Sequence, residues 1–520
     1  MKLRLLLIVL CSLSPILLLA QRDSLILLSD IGFHSDFEKK AFNDHFVSGE
    51  DNYLALFMAV NGAMNNSMYQ ENQAKFKSEL NTFNKVKLVK KKPEQKIKAL
   101  YGKIHEAFLK KYDARNEFSS IFKSGSYNCV SSTALYSLVF DEFGIPFNIK
   151  ETPNHVYLIA YPATERIHVE TTDASGGFFQ FDEDLKKRYV DHLYAQEIIS
   201  KREYNSLTID ELIDEYYFTE DEIDIERLIG IQYMNDGIYR FDDGHLVDAF
   251  EQFEKAYLFY QHEKIANMLV MLGSYILRDG KYGDLEHVDY LAKLSRFEDY
   301  GFDVDVVLAE FGRIAKIHLI NGGNSTRYSA FYKRLDQQIN NTILKRELEY
   351  QYNYDMSWFY FNQGYYDKTL PHIEKAYAVR PENIEISKIM VSTIGEKVRL
   401  MSDNQEVINI LQSYRDRYKA LRENNIFNSM LANAFILEFG HSFDMGFEKK
   451  GLEYKALFEG ILASLPETLI NKHAVGRSYS LMAVYYFKKG HTTKAKQIID
   501  EGLQRAPGSY ELMQRKRMLK

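Results

Sequence analysis

The chain has 520 residues, of which 46% are hydrophobic and nine are proline. This composition excludes a disordered or low-complexity protein and predicts several domains with sizeable cores. A formal net charge of −7 argues against a nucleic-acid partner, since such partners usually require a basic protein surface.

Residues 1–20 have the pattern of a secretory signal. Lys2 and Arg4 precede a mostly apolar run, and Ala20 offers a small residue before a polar segment. The run is shorter than the roughly 20 residues that a membrane span needs, so cleavage is expected. An uncleaved anchor is the alternative, because Leu18 is an unfavourable residue three positions before the cut. No later stretch is apolar over that length, so the sequence predicts an exported protein, periplasmic or extracellular.

Removal of this segment would also remove Cys11 and leave Cys129 as the one cysteine of the chain. A single thiol cannot form an internal disulfide, and a free thiol in an oxidising compartment is exposed to oxidation. This favours a working thiol over an accidental one. The alternative is an inert cysteine in the core, which is the usual role of a single buried cysteine.

Residues 21–205 are predicted to form an α+β domain with a helical N-terminal extension. An amphipathic helix is expected over 94–112, and a second helix begins at Cys129 after the sequence Ser-Gly-Ser breaks the chain. Three short strands then follow as an antiparallel meander. The predicted strands are 147–151, 156–161 and 166–171.

A thiol, an imidazole and a carboxylate follow one another in this domain. Cys129 opens a helix, where the helix dipole and the free N–H groups favour a thiolate and can hold an oxyanion. His155 and Glu170 lie on the strand segments that follow. An imidazole that reaches the sulfur, and a carboxylate that orients the imidazole, complete the parts of a nucleophilic cysteine site.

The register of the strand pair that holds His155 decides which acid can orient its ring. In one register of the strand pair, His155 lies directly opposite Glu170. If the turn lies one residue later, His155 lies opposite Thr172, and Glu170 is on the same side of the sheet. A half-residue shift would favour Thr171 or Asp173. Glu170 is therefore the predicted orienting residue, and Asp173 is the alternative.

These residues resemble the transglutaminase-like superfamily, which has a papain-like fold. The resemblance covers about 110–180 and includes Gly144-Ile145-Pro146 at the end of the cysteine helix. It implies that Cys129 is the nucleophile, His155 the general base and acid, and Glu170 the orienting carboxylate. The implied reaction is amide hydrolysis or acyl transfer on a peptide or protein, with a thioester intermediate.

The chain departs from the family pattern at three places. Val130 follows the cysteine where the family often has tryptophan, and Val156-Tyr157 follows the histidine where Ala-Trp is common. Glu170-Thr171-Thr172 stands where the family usually has Asp-Pro-Thr. A glutamate can still hold an imidazole, but the substrate preference of the family does not carry over to this chain.

Two asparagines flank the main candidates and are possible supporting residues. Asn128 and Asn154 can donate to an oxyanion or shape a loop, and turn chemistry is the simpler account of both. His168 shares the strand face of Glu170, and we expect it to be exposed, with a second polar group near the site as the alternative. The histidines of the N-terminal helices lack metal-ligand spacing, and no phosphate-binding glycine loop is present. No metal and no cofactor are therefore expected.

Four segments of 206–520 repeat one frame of small and aromatic residues, in which small residues let two helices approach closely. The frames comprise Gly237, Gly244, Ala249, Phe253 and Ala256; Gly273, Gly280, Tyr282, Leu285 and Ala292; Ser357, Tyr360, Gly364, Tyr366, Ile373, Ala376 and Pro381; and Ala483, Tyr486, Gly490, Ala495, Ile499, Gly502 and Pro507.

This frame resembles the tetratricopeptide repeat of about 34 residues, so residues 206–520 are predicted to form an all-α solenoid of that type. Degenerate repeats are expected over 300–349 and 384–475, with an unrelated helical bundle as the alternative there. Repeat arrays of this kind usually bind a peptide or protein partner.

The whole chain therefore predicts a papain-like, transglutaminase-like domain followed by a tetratricopeptide-type array. The main alternative is a non-catalytic scaffold, in which the cysteine domain is a relic and the repeats bind partners. A redox-sensing thiol is a third hypothesis, and it would not need Glu170.

Overall fold

The computed structural model describes residues 25–83, 85–173, 177–180, 183–196, 198–216 and 221–519. The predicted signal at 1–20 lies outside the described residues. The chain divides into two compact units, the first ending at Asp303 and the second beginning at Val304. This division does not coincide with the boundary predicted near residue 206, because the helices between 225 and 303 belong to the first unit.

The first unit is mostly helical, and the helix that begins at Cys129 is buried along most of its length. Its helices are Asp36–Phe46 (α1), Tyr53–Ala59 (α2), Asn66–Thr82 (α3), Lys85–Val89 (α4), Pro93–Ala107 (α5), Ser120–Lys123 (α6), Cys129–Glu142 (α7), Glu183–Ala195 (α8), Lys201–Ser206 (α9), Ile209–Tyr216 (α10), Ile225–Asp242 (α11), Leu246–Phe259 (α12), Glu263–Gly280 (α13) and His287–Leu294 (α14), with 3₁₀ turns at Leu28–Asp30 and Glu298–Tyr300.

The helix predicted over 94–112 ends earlier than expected, at Ala107. The backbone N–H of Lys110 donates to the carbonyl of Gly125 at 2.8 Å, so the chain leaves the helix and becomes extended. A two-residue parallel strand pair forms there, with strands Lys111–Tyr112 (β1) and Ser126–Tyr127 (β2).

The other strands of the first unit form a five-stranded antiparallel sheet, in the order β6-β5-β4-β3-β7. The three predicted strands form its centre, and two further strands were missed because they are short. Ile159 pairs with His168. This pairing corresponds to the later of the two turn positions considered from the sequence. The strands are Phe147–Thr152 (β3), His155–Ala160 (β4), Ile167–Val169 (β5), Phe178–Gln180 (β6) and Asp221–Ile223 (β7).

The second unit is helical throughout its described residues apart from turns and connections. Its helices are Val304–Ile314 (α15), which continues as a π-helix over Ala315–Asn321, Ser325–Gln338 (α16), Thr342–Asn362 (α17), Tyr366–Val379 (α18), Ile384–Arg399 (α19), Asn404–Arg417 (α20), Lys419–Arg422 (α21), Asn425–Asp444 (α22), Glu448–Leu462 (α23), Lys472–Lys488 (α24), Thr492–Arg505 (α25) and Tyr510–Met518 (α26), with a 3₁₀ turn at Glu467–Leu469.

Among the described residues, the prediction of a helical region after about residue 206 is confirmed except for the strand β7, and the four repeated frames fold as pairs of helices. Gly244, Gly364 and Gly490 end the first helix of three pairs with φ of +83°, +75° and +79°, a conformation that glycine adopts without strain. In the second frame Lys281 and Tyr282 take the left-handed conformation instead. In the part of the chain that the structure describes, no helix combines the length and apolarity that crossing a membrane requires.

Gly237 shows why the frame needs small residues. A Cβ at this position would lie 2.8 Å from the ring of Phe253 on the facing helix. We therefore expect Gly237→Ala to lower the free energy of unfolding by about 1–3 kcal/mol through overpacking. Gly102→Ala is the control, because nothing lies within 4 Å of its added Cβ, and it should be neutral or stabilise by about 0.4–1 kcal/mol. Urea denaturation measures both, and equal effects would contradict the close approach.

Candidate active site

Cys129 is the first residue of α7, and the local sequence explains why the helix starts there. The Asn128 side chain accepts the backbone N–H of Ser131 at 2.9 Å, and the Ser131 hydroxyl accepts the backbone N–H of Asn128 at 2.9 Å. This reciprocal cap ends the extended segment and begins the helix. The first N–H groups of a helix have no acceptor within it, so the start of the helix carries a partial positive charge. This charge lies at Cys129, which is half-buried and forms no disulfide.

The two asparagines occupy structural positions. The Asn128 amide nitrogen donates to the carbonyls of Ala114 and Asn116 at 3.2 and 3.1 Å, so both ends of this side chain are engaged. Asn154 is exposed in the two-residue turn between β3 and β4. That turn makes His155 the first residue of β4 and directs the strand back along β3.

His155 is held between an acid and the thiol. Its Nε2 lies 2.6 Å from Oε2 of Glu170, which leaves Nδ1 as the ring nitrogen for Cys129. Hydrogen bonds with Cys129 and with Glu170 raise the pKa of His155 to about 10, against the opposing effect of burial. Burial would raise the pKa of Glu170, but hydrogen bonds from His155 and Thr172 lower it to about 2. The favoured state of His155 at neutral pH is therefore the imidazolium, with the ionised carboxylate of Glu170 beside it.

The carboxylate of Glu170 is fixed by its own neighbours. The backbone N–H and the hydroxyl of Thr172 donate to Oε1 at 3.0 and 2.6 Å, which leaves Oε2 for the histidine. The Tyr101 hydroxyl lies 2.7 Å from the Glu170 carbonyl and also bonds the Asp173 carbonyl. The Asp173 side chain is exposed. Of the two candidate acids, Glu170 is therefore the one whose carboxylate contacts His155.

A buried cluster of hydroxyl groups joins the elements that carry the three candidates. Thr171 Oγ1 lies 2.8 Å from the Ser132 hydroxyl and 3.0 Å from that of Thr133, both on α7. Thr133 also bonds the carbonyl of Val156 on β4 at 3.2 Å. The sequence reasoning missed these residues and Tyr101. The signal was present as three consecutive hydroxyl residues at 131–133 in an otherwise apolar helix.

The prediction that His168 is exposed is wrong, because its residue is 8% exposed. It stacks on Tyr157 with ring centroids 4.3 Å apart, and Tyr157 stacks in turn on His155 at 6.4 Å. Burial lowers the pKa of His168 to about 4. The ring is therefore neutral at physiological pH and serves as packing beside the catalytic candidate.

One group of the described residues, formed by His45, Asp51 and Glu226, has side-chain atoms close enough to hold a metal ion. Asp51 lies 3.4 Å from Nδ1 of His45, and Glu226 lies 3.8 Å from Nε2. The two carboxylates thus face opposite nitrogens of one ring, which suits an ion pair better than a shared metal.

The shifted pKa values predict how His155 and Glu170 contribute to stability. A histidine whose pKa is raised to about 10 stabilises the fold fully below its unfolded value near 6.5, and this contribution is lost as pH rises to about 10. Glu170 contributes fully above about 4.5 and loses its contribution as pH falls to about 2. We expect the stability difference between the wild type and His155→Ala to shrink from pH 6 to pH 10 in urea denaturation. A constant difference would contradict the raised pKa.

Comparisons with known proteins add little. No family model matches the sequence, and no curated protein is similar to it. A solved structure described as "Structure of Naa15/Naa10 bound to HypK-THB" contains a chain with 12% identity and a TM-score of 0.18. The match covers 65% of this chain and 65% of that chain. A similarity this low carries no argument about fold or function.

Proposed function

We propose that residues 21–205 form a transglutaminase-like cysteine enzyme domain, which acts on an amide of a peptide or protein through a thioester. The observation that carries this proposal is the 2.6 Å bond between His155 and Glu170 beside a thiol at a helix start. A thiolate, an imidazolium and an orienting carboxylate are the parts that such chemistry needs. The contact of α7 with β4 through Thr133 agrees with an α+β domain of papain-like type.

In the acylation step the Cys129 thiolate attacks the amide carbonyl carbon, and the C=O electron pair moves to the oxygen. The backbone N–H groups at the start of α7 are placed to stabilise that oxyanion. The imidazolium of His155 then gives its proton to the amide nitrogen, and the C–N bond breaks. An amine leaves, and an acyl thioester on Cys129 remains.

Deacylation reverses the roles of the two groups. Neutral His155 takes a proton from water or from an amine, which attacks the thioester carbon. The C–S bond breaks, the thiolate returns, and a carboxylic acid or a new amide leaves. Glu170 holds the ring in place and stabilises its cationic form in both steps.

The helical region 206–520 is proposed to be a tetratricopeptide-type array that binds a protein partner. Its support is the pairing of helices in the four predicted frames, and in the second unit a cleft of about 930 Å³ between α19, α20 and α22. Leu437, which is 44% exposed, is among the residues that line this cleft.

Export to the periplasm or the cell exterior is proposed on the sequence of residues 1–20 alone.

Incubation with casein and dansylcadaverine tests the reaction type. Incorporation of the fluorescent amine indicates acyl transfer, whereas release of ammonia or of new peptide ends without incorporation indicates hydrolysis. Either product should be absent with Cys129→Ala. Product formed equally by this variant would contradict the proposed nucleophile.

A further inference from the structure

A cavity of about 430 Å³ in the first unit is connected to the start of α7 through one of its wall residues. Asn116 forms part of its wall, and the carbonyl of the same residue holds the amide of Asn128 at 3.1 Å, directly before Cys129. Tyr239 forms another part of the wall and donates its hydroxyl to the carbonyl of Ala114 at 2.7 Å. Burial, and then the charge of Cys129, raise the pKa of Tyr239. Cys129 is thus within electrostatic reach of Tyr239 in the cavity wall.

The wall of this cavity carries an excess of negative charge. Arg240 bonds Asp236 at 2.6 Å and lies 3.7 Å from Asp248, so one guanidinium serves two acids. The other guanidinium of the wall is paired as well. The four carboxylates and two guanidiniums are those of Glu117, Asp236, Asp243, Asp248, Arg115 and Arg240.

Glu117 is the carboxylate left without a cation. It accepts hydrogen bonds from the Asn61 amide and the Ser119 hydroxyl, both at 2.8 Å, and it forms no ion pair within the described part of the chain. Burial raises the pKa of this carboxyl, because its charge is poorly solvated. A cation in the cavity would restore the missing partner.

The amide of Asn116 gives a second, independent sign of a missing ligand. Its Nδ2 and Oδ1 are both shielded from solvent, and neither has a hydrogen-bond partner among the described residues. Buried amides are nearly always hydrogen-bonded, since an unmade bond costs about 1–3 kcal/mol. If the side chain of Asn116 turned toward the cavity, the polar end of a ligand there would supply the missing bonds.

We propose that this cavity is a specificity subsite, which holds the cationic end of a lysine or arginine side chain of the substrate while the reacting carbonyl lies at Cys129. This inference rests on the proposed function, since it assumes that a peptide or protein is acylated there. The charge surplus and the unpaired Glu117 select a cation, and the unpaired amide of Asn116 supplies a further acceptor.

Two matched alkylating probes test the subsite without a known substrate. N-(5-aminopentyl)iodoacetamide carries an ammonium on the order of 10 Å from the reactive carbon, and N-pentyliodoacetamide is its neutral counterpart. In both reactions the thiolate attacks the methylene carbon and iodide leaves. At low ionic strength we expect the cationic probe to alkylate Cys129 about tenfold faster or more, because negative walls concentrate cations.

Three variants locate the origin of this preference. Glu117→Gln keeps the shape of the wall and should reduce the preference several-fold. Asp248→Asn should do the same, and its side chain is 45% exposed, so the change is less of a risk to folding. Asp141→Asn is the control, since it removes one negative charge from the far end of α7, about 18 Å from Cys129, and should leave the preference unchanged. The rate with unsubstituted iodoacetamide should be similar in all three.

The outcomes separate the two proposals. Equal rates for the two probes in the wild type, or a preference that survives both cavity substitutions, overturn the subsite even if Cys129 is activated. Slow alkylation by every reagent, with the pH dependence of an ordinary thiol, instead contradicts the proposed enzyme.

Discussion

Alkylation of Cys129 by iodoacetamide at pH 6 is expected to slow by on the order of 10²-fold when His155 is replaced by alanine. In the wild type His155 is cationic beside the sulfur. A neighbouring cation favours the thiolate of a cysteine, which is its reactive form. An ordinary cysteine has a pKa near 8.5, so only about 0.3% of it is ionised at pH 6. Mass spectrometry of the labelled peptide over time measures both rates.

A histidine-to-alanine substitution elsewhere in the first unit provides the control for the alkylation rate. His192→Ala removes an exposed histidine near the end of α8 and should leave the alkylation rate unchanged. Near pH 10 the wild type and His155→Ala should react at similar rates, because an ordinary thiol is then ionised. Equal rates at pH 6 would mean that His155 does not activate the sulfur.

Glu170→Gln is expected to lower the steady-state hydrolysis of p-nitrophenyl acetate by about 10²–10⁴-fold. An amide can still reach the histidine, but it cannot stabilise the imidazolium, and triads that lose their carboxylate in this way lose up to that factor. The release of p-nitrophenol follows the reaction directly. Acylation and deacylation should both slow, since His155 acts in each.

Asp173→Asn is the matched control, because it makes the same change in the alternative acid. Its carboxylate is exposed, and the Nε2 bond of His155 goes to Glu170, so we expect turnover within about twofold of the wild type. A large loss in Asp173→Asn with little loss in Glu170→Gln would reverse the assignment of the two acids.

Local chemistry made part of this arrangement predictable. The break at Ser124-Gly125-Ser126 predicted a helix start at Cys129, and the structure begins α7 at that residue. Alternation of apolar residues predicted β3, β4 and β5 and their antiparallel order. Since strand parity restricts which side chains share a face, Glu170 could be singled out as the partner of His155 before its position was known.

Other features depend on residues that are far apart in the chain. The Tyr101 hydroxyl donates to the carbonyl of Glu170, which lies 69 residues later, and no local pattern contains this bond. The cavity combines Glu117 with acids of α11 and α12, more than 100 residues later. The division at Asp303 likewise depends on packing. The helices between residues 225 and 303 follow a repeat-like frame, but they belong to the first unit.

Identification of the acylated residue tests the central claim most directly. The wild-type protein is mixed with p-nitrophenyl acetate, quenched in acid and digested, and the acetylated peptide is located by mass spectrometry. We predict a single acetyl group on Cys129 as a hydroxylamine-labile thioester, formed much more slowly in His155→Ala. Acetylation confined to lysines, or acetylation of Cys129 at the same rate in both proteins, would contradict a cysteine nucleophile activated by His155.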